Sequence, residues 1–203
     1  MKEHDLIRGM QLPSIALMLA VQVSTVISMA GAEKQPLEAE DQRVLNTVLN
    51  DLLTYREKDS PILTEHDSPT NLLFVPAAVT WPLTMEQVLY RQDATSWHQL
   101  DGEYAQPIRE AASNLVSRVG RADSFRKFHP SDKRVQLFDD DSNLGLLDRR
   151  PIRAWLPGYS LNGSIVLVRL TIPWSIHVAE GTYVLRRGDG KWTILLRQFV
   201  FRC

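Results

Sequence analysis

Cysteine is almost absent from this chain of 203 residues, the single one being Cys203. An intrachain disulfide and a cysteine-built metal site are both excluded by that count. Histidine is sparse and scattered, at His4, His66, His98, His129 and His177, and no two fall at the spacing that sets two imidazoles on one helix face. No charge of one sign dominates, since the formal net charge is -1 and the isoelectric point is near 6.5. A nucleic-acid polyanion is therefore not an expected partner. Glycine-rich phosphate loops are missing too, because Gly188-Asp189-Gly190-Lys191 leads into a strand pattern rather than a helix. No cofactor and no metal ion is implied.

One apolar run stands out. Ile15 to Ala30 carries no charge and is followed by Ala30-Gly31-Ala32, a small-x-small sequence of the type signal peptidase accepts. The run is short for a spanning helix, and Gln22, Ser24, Thr25 and Ser28 dilute it. Residues 1–32 are expected to be an export signal, with an uncleaved membrane anchor over 15–30 and a buried core helix as alternatives. Removal leaves residues 33–203 as one α+β domain, periplasmic or extracellular, which touches membrane only if the signal stays. Charge is uneven along that domain: residues 151–203 hold seven basic and two acidic side chains. The excess suits either an anion-binding face or neutralisation by the acidic residues before it.

Periodicity divides the domain into a helical part, 37–121, and a sheet part, 134–201. Val44, Leu45, Val48, Leu49, Leu52 and Leu53 recur at helical spacing and predict a helix over 37–58. Leu72 to Val75 reads as a short first strand. Thr84-Met85-Glu86-Gln87 has the capping-box pattern and predicts a short helix to about Arg91. Pro107 and Gly120 bracket a third helix through Ile108, Ala111, Ala112, Leu115 and Val116. Arg134 to Phe138 alternates as a strand. Beyond it the period changes to two: Asn162-Gly163 predicts a tight turn before a strand over 164–172, and Gly188-Asp189-Gly190 joins strands 182–187 and 191–201. Pro173 is expected to break the strand over 164–172. Helices first and a curved antiparallel meander last imply helices covering one sheet face.

Familiar catalytic patterns fail their spacing tests. Asp139, Asp141 and Asn143 begin like a calcium loop, but Leu144 takes the required glycine's place. Gly158-Tyr159-Ser160 lacks the second glycine and the helix of a nucleophile elbow. Two arginines do interrupt apolar rows. Arg169 alternates with Ile165, Leu167 and Thr171, and Arg197 with Leu195, Phe199 and Phe201, leaving Trp192, Ile194, Leu196 and Gln198 on the other face of the last strand. Arg169 and Arg197 could fork onto a carboxylate or sulfate, with Tyr159, Trp174 and Tyr183 as walls of one pocket. Alternatively each lays its stem on the sheet and sends its head to solvent or to an acidic helix residue. His177 is a weak candidate for an acid or base.

The stretches Gly158-Tyr159-Ser160-Leu161-Asn162-Gly163, Pro173-Trp174-Ser175-Ile176-His177, Gly190-Lys191-Trp192 and Arg197-Gln198-Phe199 resemble the tail signature of a group of exported bacterial proteins of uncharacterised function. Residues 109–138, with Asn114, Arg118 and Asp132-Lys133-Arg134-Val135, are similar to the segment before that tail. The resemblance implies export and a helix-plus-curved-sheet domain, by analogy a cystatin-like cone, and assigns no catalytic residue. The functional expectation is a non-catalytic binding or structural domain of the cell envelope, with a small anionic ligand as candidate partner. A small extracytoplasmic enzyme acting on an anionic or glycan substrate, with His177 beside Arg197 and Tyr159, is the alternative. An unpaired Cys203 would also permit a disulfide-linked dimer.

Overall fold

The computed structural model describes residues 39–58, 71–90, 97, 100–120, 128–138, 151–174 and 177–202. The chain divides between Glu33 and Lys34, and everything described belongs to the second unit. The apolar run 15–30, the Asp-rich stretch 139–145 and Cys203 lie outside the described residues. Among the described residues no helix is long and apolar enough to cross a membrane.

Helix α1 (Ala39–Lys58) carries the six periodic aliphatic residues from Val44 to Leu53, all buried, and opens with Glu40 and Asp41 in its first turn. Acidic side chains there complement the helix dipole. Strand β1 (Leu72–Ala78) follows, then the short helix α2 (Met85–Val88). Its capping box is complete: Thr84 accepts from the Gln87 backbone, and the Gln87 side chain accepts from Thr84 N–H. Helix α3 (Ala105–Arg118) buries Ile108, Ala111, Ala112 and Leu115. Two alanines on that face let the helix backbone come close to whatever it packs on.

The remaining elements are strands: β2 (Val135–Leu137), β3 (Ile152–Ala154), β4 (Gly158–Tyr159), β5 (Ile165–Trp174), β6 (His177–Gly188) and β7 (Lys191–Arg202). They form one seven-stranded sheet in the order β2-β1-β3-β5-β6-β7, with β4 also paired to β5. Strands β5, β6 and β7 are the expected antiparallel meander. The sheet as a whole is mixed, because β1 runs parallel to both β2 and β3. Strands β3 and β4 line successive parts of one β5 edge, separated by Trp155-Leu156-Pro157. The architecture is α+β with an antiparallel-rich sheet.

Three expectations need correction. Helices cover both sheet faces, not one: α1 packs on Val166, Val168, Leu170 and Ile172 of β5, while α2 and α3 pack on Ile165 and Leu167 of the same strand. Alternation puts apolar residues on both faces of β5, Val166 to Ile172 on one and Ile165 and Leu167 on the other, and apolar residues on both faces need two covering layers. Strand β5 also runs through Pro173 to Trp174, past its pairing with β3, instead of breaking there. Finally, the face assignment of β7 holds for only half the strand. Val184 pairs with Leu196 and Leu185 with Ile194, so Leu195 is an extra residue. That bulge places Trp192 and Ile194 on the α1 side and Leu196 on the α3 side.

Candidate functional site

The turn at the end of β4 is built locally. Ser160 Oγ donates to Asn162 Oδ1 at 2.8 Å and accepts from Ile165 N–H at 3.0 Å, while Asn162 Oδ1 also accepts from Ser164 N–H. Gly163 sits at φ +66. Gly158 has a different duty. A Cβ there would lie 2.2 Å from the Ala111 carbonyl oxygen and 2.4 Å from Leu115 N, so only glycine lets α3 lie against β4. Asn114 Oδ1 fastens the same contact by accepting from Tyr159 N–H at 3.0 Å.

Alternation then aims Tyr159 at the α1 side. Its hydroxyl donates to Asp41 Oδ1 at 2.7 Å. Arg118, at the end of α3, forks onto the same carboxylate at 3.1 and 2.7 Å and also donates to the Pro157 carbonyl. Asp41 is 1% exposed, so this is a buried pair whose lone pairs are well used. Burial, and then the Asp41 charge, push the Tyr159 phenol far above its ordinary value. A phenol held protonated in this way is a hydrogen-bond donor and a poor base. Trp192 adds a further tie, donating to Glu40 Oε1 at 2.7 Å.

A second constellation lies farther along α1. Arg197 Nε and Nη2 donate to the two Asp51 oxygens at 2.8 and 2.6 Å, and the guanidinium stacks 4.8 Å from the Tyr55 ring centroid. Burial pulls the Arg197 pKa down, but the hydrogen bonds and charge of Asp51 more than reverse this, so it stays fully ionised. Tyr183 is wholly buried beside this pair, edge-on to Phe199. Its hydroxyl makes no hydrogen bond among the described residues. Burial, with the nearby Asp51 charge second, raises its pKa well above the usual phenol value.

The third constellation is on the opposite face. Arg169, 2% exposed, donates from Nη1 to Thr182 Oγ1 at 2.9 Å and from Nη2 to Glu180 Oε2. Next to it Gln198 accepts from the Trp97 indole and donates to the Tyr90 carbonyl at 3.0 Å. Register shows how these groups align. Arg169 stands opposite Thr182 and Thr182 opposite Gln198, whereas Arg153 stands opposite Thr171 and Thr171 opposite Glu180. Directly opposed residues share a face.

The single pocket expected for Arg169, Arg197, Tyr159, Trp174 and Tyr183 is therefore not assembled. Arg169 points to the α3 side, while Arg197, Tyr183 and Tyr159 point to the α1 side. Tyr159 and Arg197 close on different carboxylates, Asp41 and Asp51, which are ten residues or about 15 Å apart along the helix. The side chains of Trp174 and His177 lie outside what is described. Asp41, Asp51, Glu180 and Arg153 were not singled out in the sequence, because a lone carboxylate or arginine carries no signal until its partner is known. Among the described residues no group of three or more His, Cys, Asp or Glu could hold a metal ion.

No family model, no curated protein and no solved structure matches the chain.

Proposed function

We propose that the chain is an exported, non-catalytic binding or structural domain of the bacterial cell envelope, akin to the group its tail resembles. In this reading residues 1–32 are the signal, or 15–30 an anchor, and the sheet curves as a cystatin-like cone. The observation that carries the non-catalytic part is how the charged groups are used. Asp41 holds Arg118 and Tyr159, and Asp51 holds Arg197, so these carboxylates brace α1 to the rest of the fold. Groups committed in this way hold layers together. Export rests on the uncharged run before Ala30-Gly31-Ala32.

Intact-mass measurement of the protein from fractionated cells of its native host tests both location and processing. A species beginning near Glu33 in the periplasm or medium is expected, and an intact Met1 species in the cytosol overturns the reading. A Cys203-linked dimer belongs to the same proposal. A non-reducing gel that shows only monomer under oxidising conditions removes it.

A further inference from the structure

The α3-facing side of the sheet changes character along its length. At one end Ile165, Leu167, Val184 and Leu196 form an apolar floor packed under α3. At the other end of the same three strands the inward positions are Arg169, Thr171, Glu180, Thr182 and Gln198. Four of these five are buried residues outright, and Glu180 keeps 17% of its side chain exposed. Apolar residues of similar volume would hold a sheet interior at least as well as a buried ion pair. A polar floor with four residues on the interior strands β5 and β6, continued by Gln198 on the edge strand β7, therefore asks for a reason beyond stability.

The register supplies one. Arg153, Thr171 and Glu180 form a single row across β3, β5 and β6, with a guanidinium at one end, a hydroxyl in the middle and a carboxylate at the other. Two strand spacings separate the end backbones, about 10 Å. Both ends are reached by solvent, since Arg153 and Glu180 are only partly buried. Behind the row Arg169, itself gripped by Thr182, fixes the orientation of Glu180. We propose that this row binds a small hydroxylated carboxylate of the uronic-acid type. Arg153 takes the ligand carboxylate, and Thr171 and Glu180 take its hydroxyls. Glu180 is what selects hydroxyls, because its carboxylate accepts from O–H donors that a bare carboxylate such as acetate does not carry. None of these side chains needs to be idle beforehand; the ligand exchanges with water and with their other contacts.

This inference rests on the binding-domain reading and names its ligand class. Titration calorimetry of the full chain with D-glucuronate, D-glucose and acetate tests it. Glucuronate is expected to bind at least about tenfold more tightly than either control, the size of one charge-assisted contact. Arg153→Ala and Glu180→Gln should each weaken it about tenfold or more, while Arg43→Ala, on the exposed side of α1, should not. Amide chemical-shift mapping of the wild type covers the case in which a variant misfolds. Signals at residues 153, 171 and 180 should move on addition of glucuronate, and those at 51 and 197 should not. No glucuronate binding, equal binding of acetate, or shifts confined to the α1 side would each overturn the proposal. Those failures leave the export measurement unaffected, and a cytosolic Met1 species would sink the envelope reading whatever the ligand result.

Discussion

Gly158 shows how much one missing carbon can decide. The site where its Cβ would go is already filled by backbone and side-chain atoms of Ala111 and Leu115, and backbone cannot swing aside as a flexible side chain can. Gly158→Ala is therefore expected to cost about 3 kcal/mol or more, read as a lowered urea midpoint. The two phenols, Tyr183 buried and Tyr159 half-buried, give a pH signature. Tyr159 and Tyr183 both have folded pKa values raised above that of an unfolded tyrosine. Above pH of about 10 the unfolded chain releases these protons and the folded chain keeps them, so the unfolded state binds fewer protons and stability falls as pH rises. Urea titrations from pH 8 to 11.5 should show that decline. Tyr159→Phe and Tyr183→Phe should each make it shallower, and an unchanged slope in both would remove the phenols as its cause.

Among the elements, β7 has a local pattern that misleads about which face each residue takes. Perfect alternation over residues 191–202 would send Trp192, Ile194, Leu196 and Gln198 to one side, but Leu195 is an added residue between the pairs Leu185–Ile194 and Val184–Leu196. The bulge lets the strand serve both cores. Trp192 and Ile194 join the α1 layer, and Leu196 and Gln198 meet the α3 side, where Gln198 receives the Trp97 indole N–H. Deleting Leu195 should restore alternation and thereby turn one half of the strand the wrong way. A clear loss of stability in urea is expected, with the Trp97–Gln198 bond broken. A deletion variant as stable as wild type would mean that the extra residue is dispensable. Helices α1 and α3 were readable because their apolar positions recur within two turns, and the α2 capping box because all of its atoms come from four consecutive residues.

At the scale of the whole molecule, two helical layers on opposite sheet faces are joined by one carboxylate. Asp41 belongs to α1, Arg118 ends α3, and Tyr159 lies on β4 between them. Removing Asp41 takes the carboxylate away from a largely buried guanidinium, which keeps the Pro157 carbonyl, and from a half-buried phenol. Asp41→Ala should therefore cost about 3–5 kcal/mol. Asp51→Ala breaks a more exposed pair, so the surface-pair scale applies and about 1 kcal/mol is expected. Thermal unfolding of the two variants side by side gives the comparison. Equal losses would show that Asp41 is no more than another surface brace.

What the amino-acid order determined by itself is local. Helix positions, the capped start of α2, the Asn162-Gly163 turn and the Asp189-Gly190 turn, with φ of 49 and 74, follow from contacts a few residues apart. The antiparallel meander follows as well, since short turns between strands leave little choice of neighbour. Tertiary structure alone decided the parallel placement of β1, the second covering layer, the bulge and the fate of each arginine. The layers and the fate of Arg197 depend on partners far apart in the chain: Arg197 meets Asp51 across 146 residues, and Tyr159 meets Asp41 across 118. An arginine on an apolar strand face reads the same whether it awaits a ligand or a helix. Only the fold brings up Asp51 to close on Arg197, and lines up Arg153, Thr171 and Glu180 on the other side.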